Sequence, residues 1–378
     1  MKKEMKVTPW EVSGKVDYEK LIREFGLEPM PKLPKVFEDN VLFRRKVVFA
    51  HRDFGRILDT IKNKKPFVMM TGLMPSGKFH LGHALLTKQM VFYQRLGAKL
   101  YIAVADLEAY NARQKSLKEL KEVAIDQYLL NYIALGLEPK NCDFYFQSDR
   151  SKDSKKSNAY YRLASNFSRY ATFNEFKAIY GEISPGKMDA SLFQAADMFH
   201  PQLPEFEGKP VPVLVPVGPD QDPHLRIARD IGKRYKDHKF IQLSSTYHLF
   251  LPGLTGSGKM SSSDETSFIS MDDGSKEVER KIKKYAFSGG QASVEEHRKK
   301  GGNPDVDVSY QYLRMFFEPD DKKLNQIRED YRSGKMLTGE LKEILTEKIN
   351  AFLKEHQKKR EAAKDKIDLF FKDYIFKD

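Results

Sequence analysis

Four short runs of almost unbroken apolar residues constrain this chain more than any other feature. They are PFVMMTG (66–72), AKLYIAVAD (98–106), CDFYFQS (142–148) and PVPVLVPVG (210–218). Each has strand length, and none alternates cleanly between apolar and polar residues. A strand of that kind is covered on both faces, as in a parallel sheet. Helix patterns lie between them: HLGHALLTKQMVFYQRLG (80–97), SLKELKEVAIDQYLLNYIALGL (116–137) and, after the fourth run, DPHLRIARDIGKRY (222–235). Strand and helix in alternation predict an α/β fold with a doubly wound parallel sheet.

The rest of the chain is arranged around that unit. Residues 1–65 mix polar helix signals with Pro-rich connections such as EPMPKLPKVF and read as an N-terminal extension. The catalytic unit is expected over 66–271, with a helical, aromatic-rich insertion near 151–208 between the two halves of the sheet. Residues 272–378 carry no further strand run. The patterns VERKIKKYAF, LNQIREDYRSG and TGELKEILTEKINAFLKEHQKKREAAKDKI predict a separate C-terminal domain of basic amphipathic helices. The chain has 378 residues and a formal net charge of +12, an excess that favours a polyanionic partner such as nucleic acid or nucleotide. With no apolar run of about 20 residues, no membrane span is expected. The start, MKKEMKVTPWEV, has no apolar secretory core, so the cytoplasm is the expected compartment. One cysteine, Cys142, leaves no basis for a disulfide scaffold or a cysteine-based structural zinc site.

Two loops carry the chemistry. The first is PSGKFHLGH (75–83), between a strand and a helix. His80 and His83 are spaced to share a helix face at its N-terminus. That terminus adds N–H donors and partial positive charge, which suit phosphate. Gly82 leaves room for a flat ring such as adenine against the backbone. A His-x-x-His pair also suits metal, but no third ligand is near in sequence, so no protein-bound metal is expected. Half-buried histidines capping a helix are the structural alternative. The second loop is TGSGKMSSS (255–263). Lys259, with Ser261, Ser262 and Ser263, has the charge and the donors to wrap a polyphosphate. It does not meet the P-loop pattern G-x-x-x-x-G-K-[ST]. Alone, such a stretch is more often a flexible linker.

Taken together, HLGH and KMSSS resemble the HIGH and KMSKS signatures of class I aminoacyl-tRNA synthetases in order, separation and context. TPWEVSGKVDYEKLIREFG, FAHRDFGRILDTIKNKKPF, VGPDQDPHLRIARD, AFSGGQASVEEHRKKGGNPDVDVSYQYL and DYRSGKMLTGELKE extend the likeness to the archaeal and eukaryotic tryptophanyl-tRNA synthetases, over nearly the whole chain. The resemblance implies a Rossmann catalytic domain, an α-helical anticodon-binding domain and a homodimer. It implies an ATP-dependent ligase that makes tryptophanyl-adenylate and passes it to tRNA(Trp). His80, His83, Lys259, Ser261 and Ser262 would act on the phosphates. Thr71, Gly72, Gly82, Met260 and Ser263 would bind ATP, with Mg2+ carried on its phosphates.

For the amino acid, the resemblance implies Glu108, Gln194 and Gln221 as polar partners and Met70 as a pocket wall. An indole N–H only donates, so it needs an acceptor. Asp197 aligns with an aspartate that serves this purpose in bacterial tryptophanyl enzymes. The eukaryotic pattern has a tyrosine and a glutamine where this chain has Met70 and Ala103. The plain alternative for Asp197 is a helix N-terminal or surface carboxylate. In the C-terminal part, Asp305, Tyr310, Tyr312 and Arg314 are candidates for reading unpaired tRNA bases. For the two tyrosines, packing in the core is an equal reading. Tyrosyl-tRNA synthetase is the near rival, but Met70 cannot supply the second polar contact a phenol requires. A non-catalytic tRNA-binding paralogue is the alternative from another class.

Overall fold

The computed structural model describes residues 6–7, 12–13, 16–112, 115–256, 258–262 and 264–371. Among them the principal sheet has seven strands. In chain order these are β1 (Glu28–Pro29), β2 (Val48–Arg52), β3 (Val68–Leu73), β4 (Lys99–Val104), β5 (Cys142–Phe146), β6 (Val213–Val217) and β7 (Ser244–His248). Their spatial order is β1-β2-β7-β6-β3-β4-β5. The five strands β3 to β7 are mutually parallel, while β1 and β2 join antiparallel at one edge. The chain winds outward from β3 through β4 to β5, then returns to the other side of β3 with β6. This reversal opens a crevice at the carboxyl ends of β3 and β6, where open α/β sheets hold their ligands.

The apolar runs form strands because both their faces are buried. Along β3 and β4, Met69, Leu73, Leu100, Ile102 and Val104 enter one hydrophobic cluster. Their alternating neighbours Val68, Met70, Tyr101 and Ala103 enter the other. Residues i and i+2 share a face, so the alternation divides each strand between two cores. The first core is covered by α1 (Leu81–Arg95), which lies over the same face as the helix through residues 117–134. Ser116 and Glu119 start that second helix as a reciprocal cap. The other core is covered by α2 (Ser154–Phe167), α3 (Pro185–Phe199) and α4 (Asp222–Arg234). The insertion near 151–208 is therefore part of one outer layer.

The structure adds three features to the sequence reading. The N-terminal region contributes β1 and β2 to the sheet. Arg52 of β2 reaches the fully buried Asp222 at the head of α4, with Nη2 3.0 Å from Oδ1, and Tyr247 donates to the same carboxylate at 2.6 Å. The sequence reading also lacked β7, whose residues SSTYH are polar yet all buried. Hydroxyls satisfied inside the sheet leave no apolar signal. The C-terminal helices do not hold a core of their own either. Leu341, Leu345, Ile349 and Leu353 of α5 (Thr338–Ala363) belong to the same cluster as α1 and one face of the sheet.

A shared core predicts shared unfolding. Leu345→Ala removes a fully buried side chain and should cost ~2–5 kcal/mol. Calorimetry should still show one transition, lowered as a whole. A separate early transition of the helical region would show that its packing on the sheet is weak.

Candidate active site

A cleft of about 600 Å3 opens at the reversal point, and the two loops singled out in the sequence meet over it. The meeting is built by backbone. Leu81 N–H donates to Ile269 O at 3.2 Å, and Met271 N–H donates to Phe79 O at 3.0 Å. The segment following Lys259–Ser262 is thereby paired with the histidine loop. At Gly77 an added Cβ would stand 3.0 Å from the Cβ of Ser262, so the loops touch where neither has bulk.

His80 is the N-cap of α1, and His83 is its third residue. Their rings stack with centroids 3.8 Å apart. His80 Nδ1 accepts from Gly82 N–H at 3.1 Å, and His83 Nδ1 accepts from His80 N–H at 3.2 Å. They form a reciprocal cap in which imidazole does the work of hydroxyl and carboxylate. Burial holds His80 well below the ordinary imidazole value, reinforced by His83 and Lys259. Burial, then Lys259, brings His83 down to about 4. Both rings are neutral near pH 7. With Nδ1 accepting, the proton sits on Nε2, so each ring has one N–H left to donate. Gly82 lines the cleft, and an added Cβ there would lie 2.9 Å from Cε1 of His80, so any side chain at this position would crowd that ring.

Lys259 lies across the cleft, and its Nζ is 2.5 Å from Oδ2 of the buried Asp220. Asp220 sits in PDQDP beside Gln221, whose Nε2 is 3.4 Å from the same oxygen. The sequence reading assigned Gln221 and passed over Asp220. Its signal was position, in the turn between β6 and α4 where a crevice-facing residue must fall. Ser261 N–H donates to Ser267 Oγ at 3.1 Å, which ties the serine loop down. Thr71, Gly72, Gly82, Met260, Ser261 and Ser262 all line the cleft. Ser263 lies outside the described residues.

The far end of the cleft is walled by Met70, Ala103, Met198 and Asp197. Asp197 is in the last turn of α3 and 2% exposed, which excludes the helix N-terminal and surface alternatives. Its Oδ1 accepts from the hydroxyls of Tyr145 and Tyr160, each at 2.7 Å. Its Oδ2 accepts from Gln147 Nε2, also at 2.7 Å. Burial raises its pKa to about 6 despite these donors. Glu108 lines the same cleft, and its pKa is raised by burial first and by Asp197 second. Gln194 lies one turn before Asp197 on α3. Tyr145, Gln147 and Tyr160 were not singled out in the sequence, because aromatic residues in a strand and a helix read as core.

Of the C-terminal candidates, Asp305, Tyr310 and Arg314 are close enough to act on one another electrostatically. Tyr310 and Tyr312 are buried, and Tyr312 donates to Pro252 O at 2.6 Å. A base has no ring face to stack on there, so the packing reading holds and the expectation of base recognition by these tyrosines is corrected. Arg314 donates to Arg45 O at 3.0 Å. Asp305 is exposed and pairs with Arg328 at 3.0 Å. Among the described residues no helix is long and apolar enough to cross a membrane.

The family model for class I tRNA synthetases of the tryptophan and tyrosine type matches residues 62–354. The chain belongs to this family. A tryptophan–tRNA ligase of Methanocaldococcus jannaschii is 44% identical over 366 residues, covering 96% of each chain. One from Aeropyrum pernix is 43% identical over 365 residues, covering 95% of this chain and 96% of its own. Among solved structures, the tryptophanyl-tRNA synthetase of Aeropyrum pernix K1 superposes with a TM-score of 0.86 at 41% identity, over 94% of this chain and 95% of that one. A synthetase of this family positions charge rather than forming a covalent bond to its substrate. Neutral histidine donors, a lysine ammonium and serine hydroxyls are groups of that kind.

The buried imidazoles also predict a pH dependence. Burial lowers His83, His224 and His248 to about 4 and holds His80 well below the ordinary imidazole value. The unfolded chain takes up these protons first, near pH 6.5, so stability falls as pH drops from about 6.5 toward 4. Asp197, raised to about 6, works in the opposite direction together with the raised Asp106, Glu108 and Asp189, but burial also lowers His51, His200 and His356, so seven imidazoles stand against four carboxyls. The melting temperature should therefore decline over that window. The decline should be shallower in His248→Gln, whose amide preserves contact with Gln89 without titrating. An unchanged slope would mean that His248 titrates freely.

Proposed function

We propose that this synthetase activates L-tryptophan with ATP and esterifies tRNA(Trp). A carboxylate oxygen of tryptophan attacks the α-phosphorus of ATP. The bond from that phosphorus to the bridging oxygen breaks, and pyrophosphate leaves. A hydroxyl of the terminal adenosine of tRNA then attacks the acyl carbon of the adenylate, releasing AMP. The observation that carries this reading is the convergence of two phosphate-suited loops on one cleft whose other end is apolar with buried polar groups.

In this reading the Nε2–H groups of His80 and His83 donate to phosphate oxygens as charge develops. Lys259 leaves Asp220 for the β- and γ-phosphates, with Ser261 and Ser262 as hydroxyl donors. Thr71, Gly72, Gly82, Met260 and Ser263 complete the ATP-binding set. Magnesium enters on the phosphates of ATP, for which few protein ligands are needed. Glu108, Gln194 and Gln221 receive the amino-acid ammonium, and Met70 walls the indole end beside Asp197. The Asp197 carboxylate already takes two hydroxyls of the chain's own tyrosines, which disfavours a third phenol and hence the tyrosine alternative. Cytoplasmic homodimers, with a catalytic unit over 66–271 and tRNA contacts that include Asp305 and Arg314, complete the proposal.

ATP–pyrophosphate exchange with each of the twenty amino acids tests it. Exchange with tryptophan alone is expected, and Lys259→Ala should slow it ~100–1000-fold, the usual loss for one electrostatic donor. Exchange with tyrosine would overturn the substrate assignment. A folded protein with no exchange would leave tRNA binding without catalysis. Light scattering should give twice the mass of one chain, and a monomer would remove the dimer from the proposal.

A further inference from the structure

We propose that Gln147 reads the indole N–H of the substrate, through a side-chain oxygen whose direction is set by Asp197. The inference rests on the reading of the cleft as a tryptophan-activating site and names the atom that makes it selective. Gln147 follows β5, is buried, and lines the cleft beside Ala103 and Asp197. Its main chain is held on both sides: its N–H donates to Val104 O at 3.0 Å, and its carbonyl accepts from Tyr161 Oη at 2.9 Å.

The orientation of the amide follows from chemistry. An ionised carboxylate only accepts, so Asp197 Oδ2 admits the NH2 side of Gln147 and not its oxygen. Asp197 is itself prevented from turning, because both tyrosine hydroxyls are on Oδ1. Gln147 Oε1 is thereby directed away from Asp197. It is buried and has no hydrogen-bond partner. Native proteins rarely leave such an acceptor unmet, and an exception points to a group that arrives later. An indole N–H is donor only and matches it. Of the walls at this end, Ala103 has no side-chain acceptor, Met70 has a thioether, and both oxygens of Asp197 already accept from the chain's own donors. In this arrangement Gln147 contacts the substrate, and Asp197, Tyr145 and Tyr160 are positioning residues.

The test compares tryptophan with 3-benzothienylalanine, in which sulfur replaces the indole N–H. The readout is the ratio of kcat/KM for the two in ATP–pyrophosphate exchange. The wild-type ratio should be large, because a site built around a donor rejects an analogue that lacks it. Gln147→Met should lower that ratio at least ~10-fold by raising KM for tryptophan, with KM for ATP and exchange with the analogue little changed. A ratio unchanged in Gln147→Met would overturn the proposal. A second pair of variants serves if that one fails to fold. Asp197→Asn turns the Gln147 amide over, so that its NH2 faces the substrate, and should also lose discrimination. Combining it with Gln147→Glu restores an outward acceptor and should recover the discrimination. A double variant no better than Asp197→Asn would overturn the assignment. If wild-type protein gave no exchange with tryptophan at all, the proposed function itself would fail first.

Discussion

A parallel sheet survives in water only if both its faces are covered, and most of this structure follows from that requirement. Strands β3 to β6 send alternate side chains into two separate cores. Each core needs its own layer of helices. The 151–208 insertion with α4 supplies one layer. Helix α1, the 117–134 helix and the C-terminal helix α5 supply the other. The C-terminal helices are thus structural cover for the sheet. Closing both faces confines open space to the strand ends, and the reversal between β3 and β6 determines which ends.

The cleft obeys one electrostatic rule at each end: buried groups are held in the state that leaves a single polar atom available. At the phosphate end, backbone N–H groups occupy Nδ1 of His80 and His83, so each ring offers only Nε2–H. At the far end, two tyrosines and one amide occupy Asp197, and Gln147 is left with one unpaired oxygen. Groups fixed in this way need little reorganisation when a substrate binds, which is how preorganised sites stabilise developing charge. Lys259 is the exception. It is more than a third exposed and held by Asp220, as suits a group that must change partners.

Much of the site was legible because its signals are local. The loop around His80 and His83 lies between an apolar run and a helix pattern, and the Lys259 loop is marked by its glycines and serines. Met70, Ala103 and Glu108 fall at the ends of recognisable strands. The polar strand Ser244–His248 was not legible, because Ser244, Tyr247 and His248 find their partners Asp53, Asp222 and Gln89 far away in sequence. Tyr310 and Tyr312 misled in the opposite sense. Alternate aromatics look the same whether they stack on bases or pack in a core, and only burial separates the two.

The sequence by itself determined the alternation of strands and helices, the two phosphate-suited loops and the family. These depend on residue type and spacing along one stretch of chain. The tertiary structure decided which atoms of those residues remain free. Asp220 restrains Lys259 from 39 positions away, and Asp197 orients Gln147 from 50 positions away. The shared core with the C-terminal helices has the same origin. Hydrogen-bond satisfaction inside a folded chain is a property of pairs, and such pairs exist only once the sheet has brought their elements together.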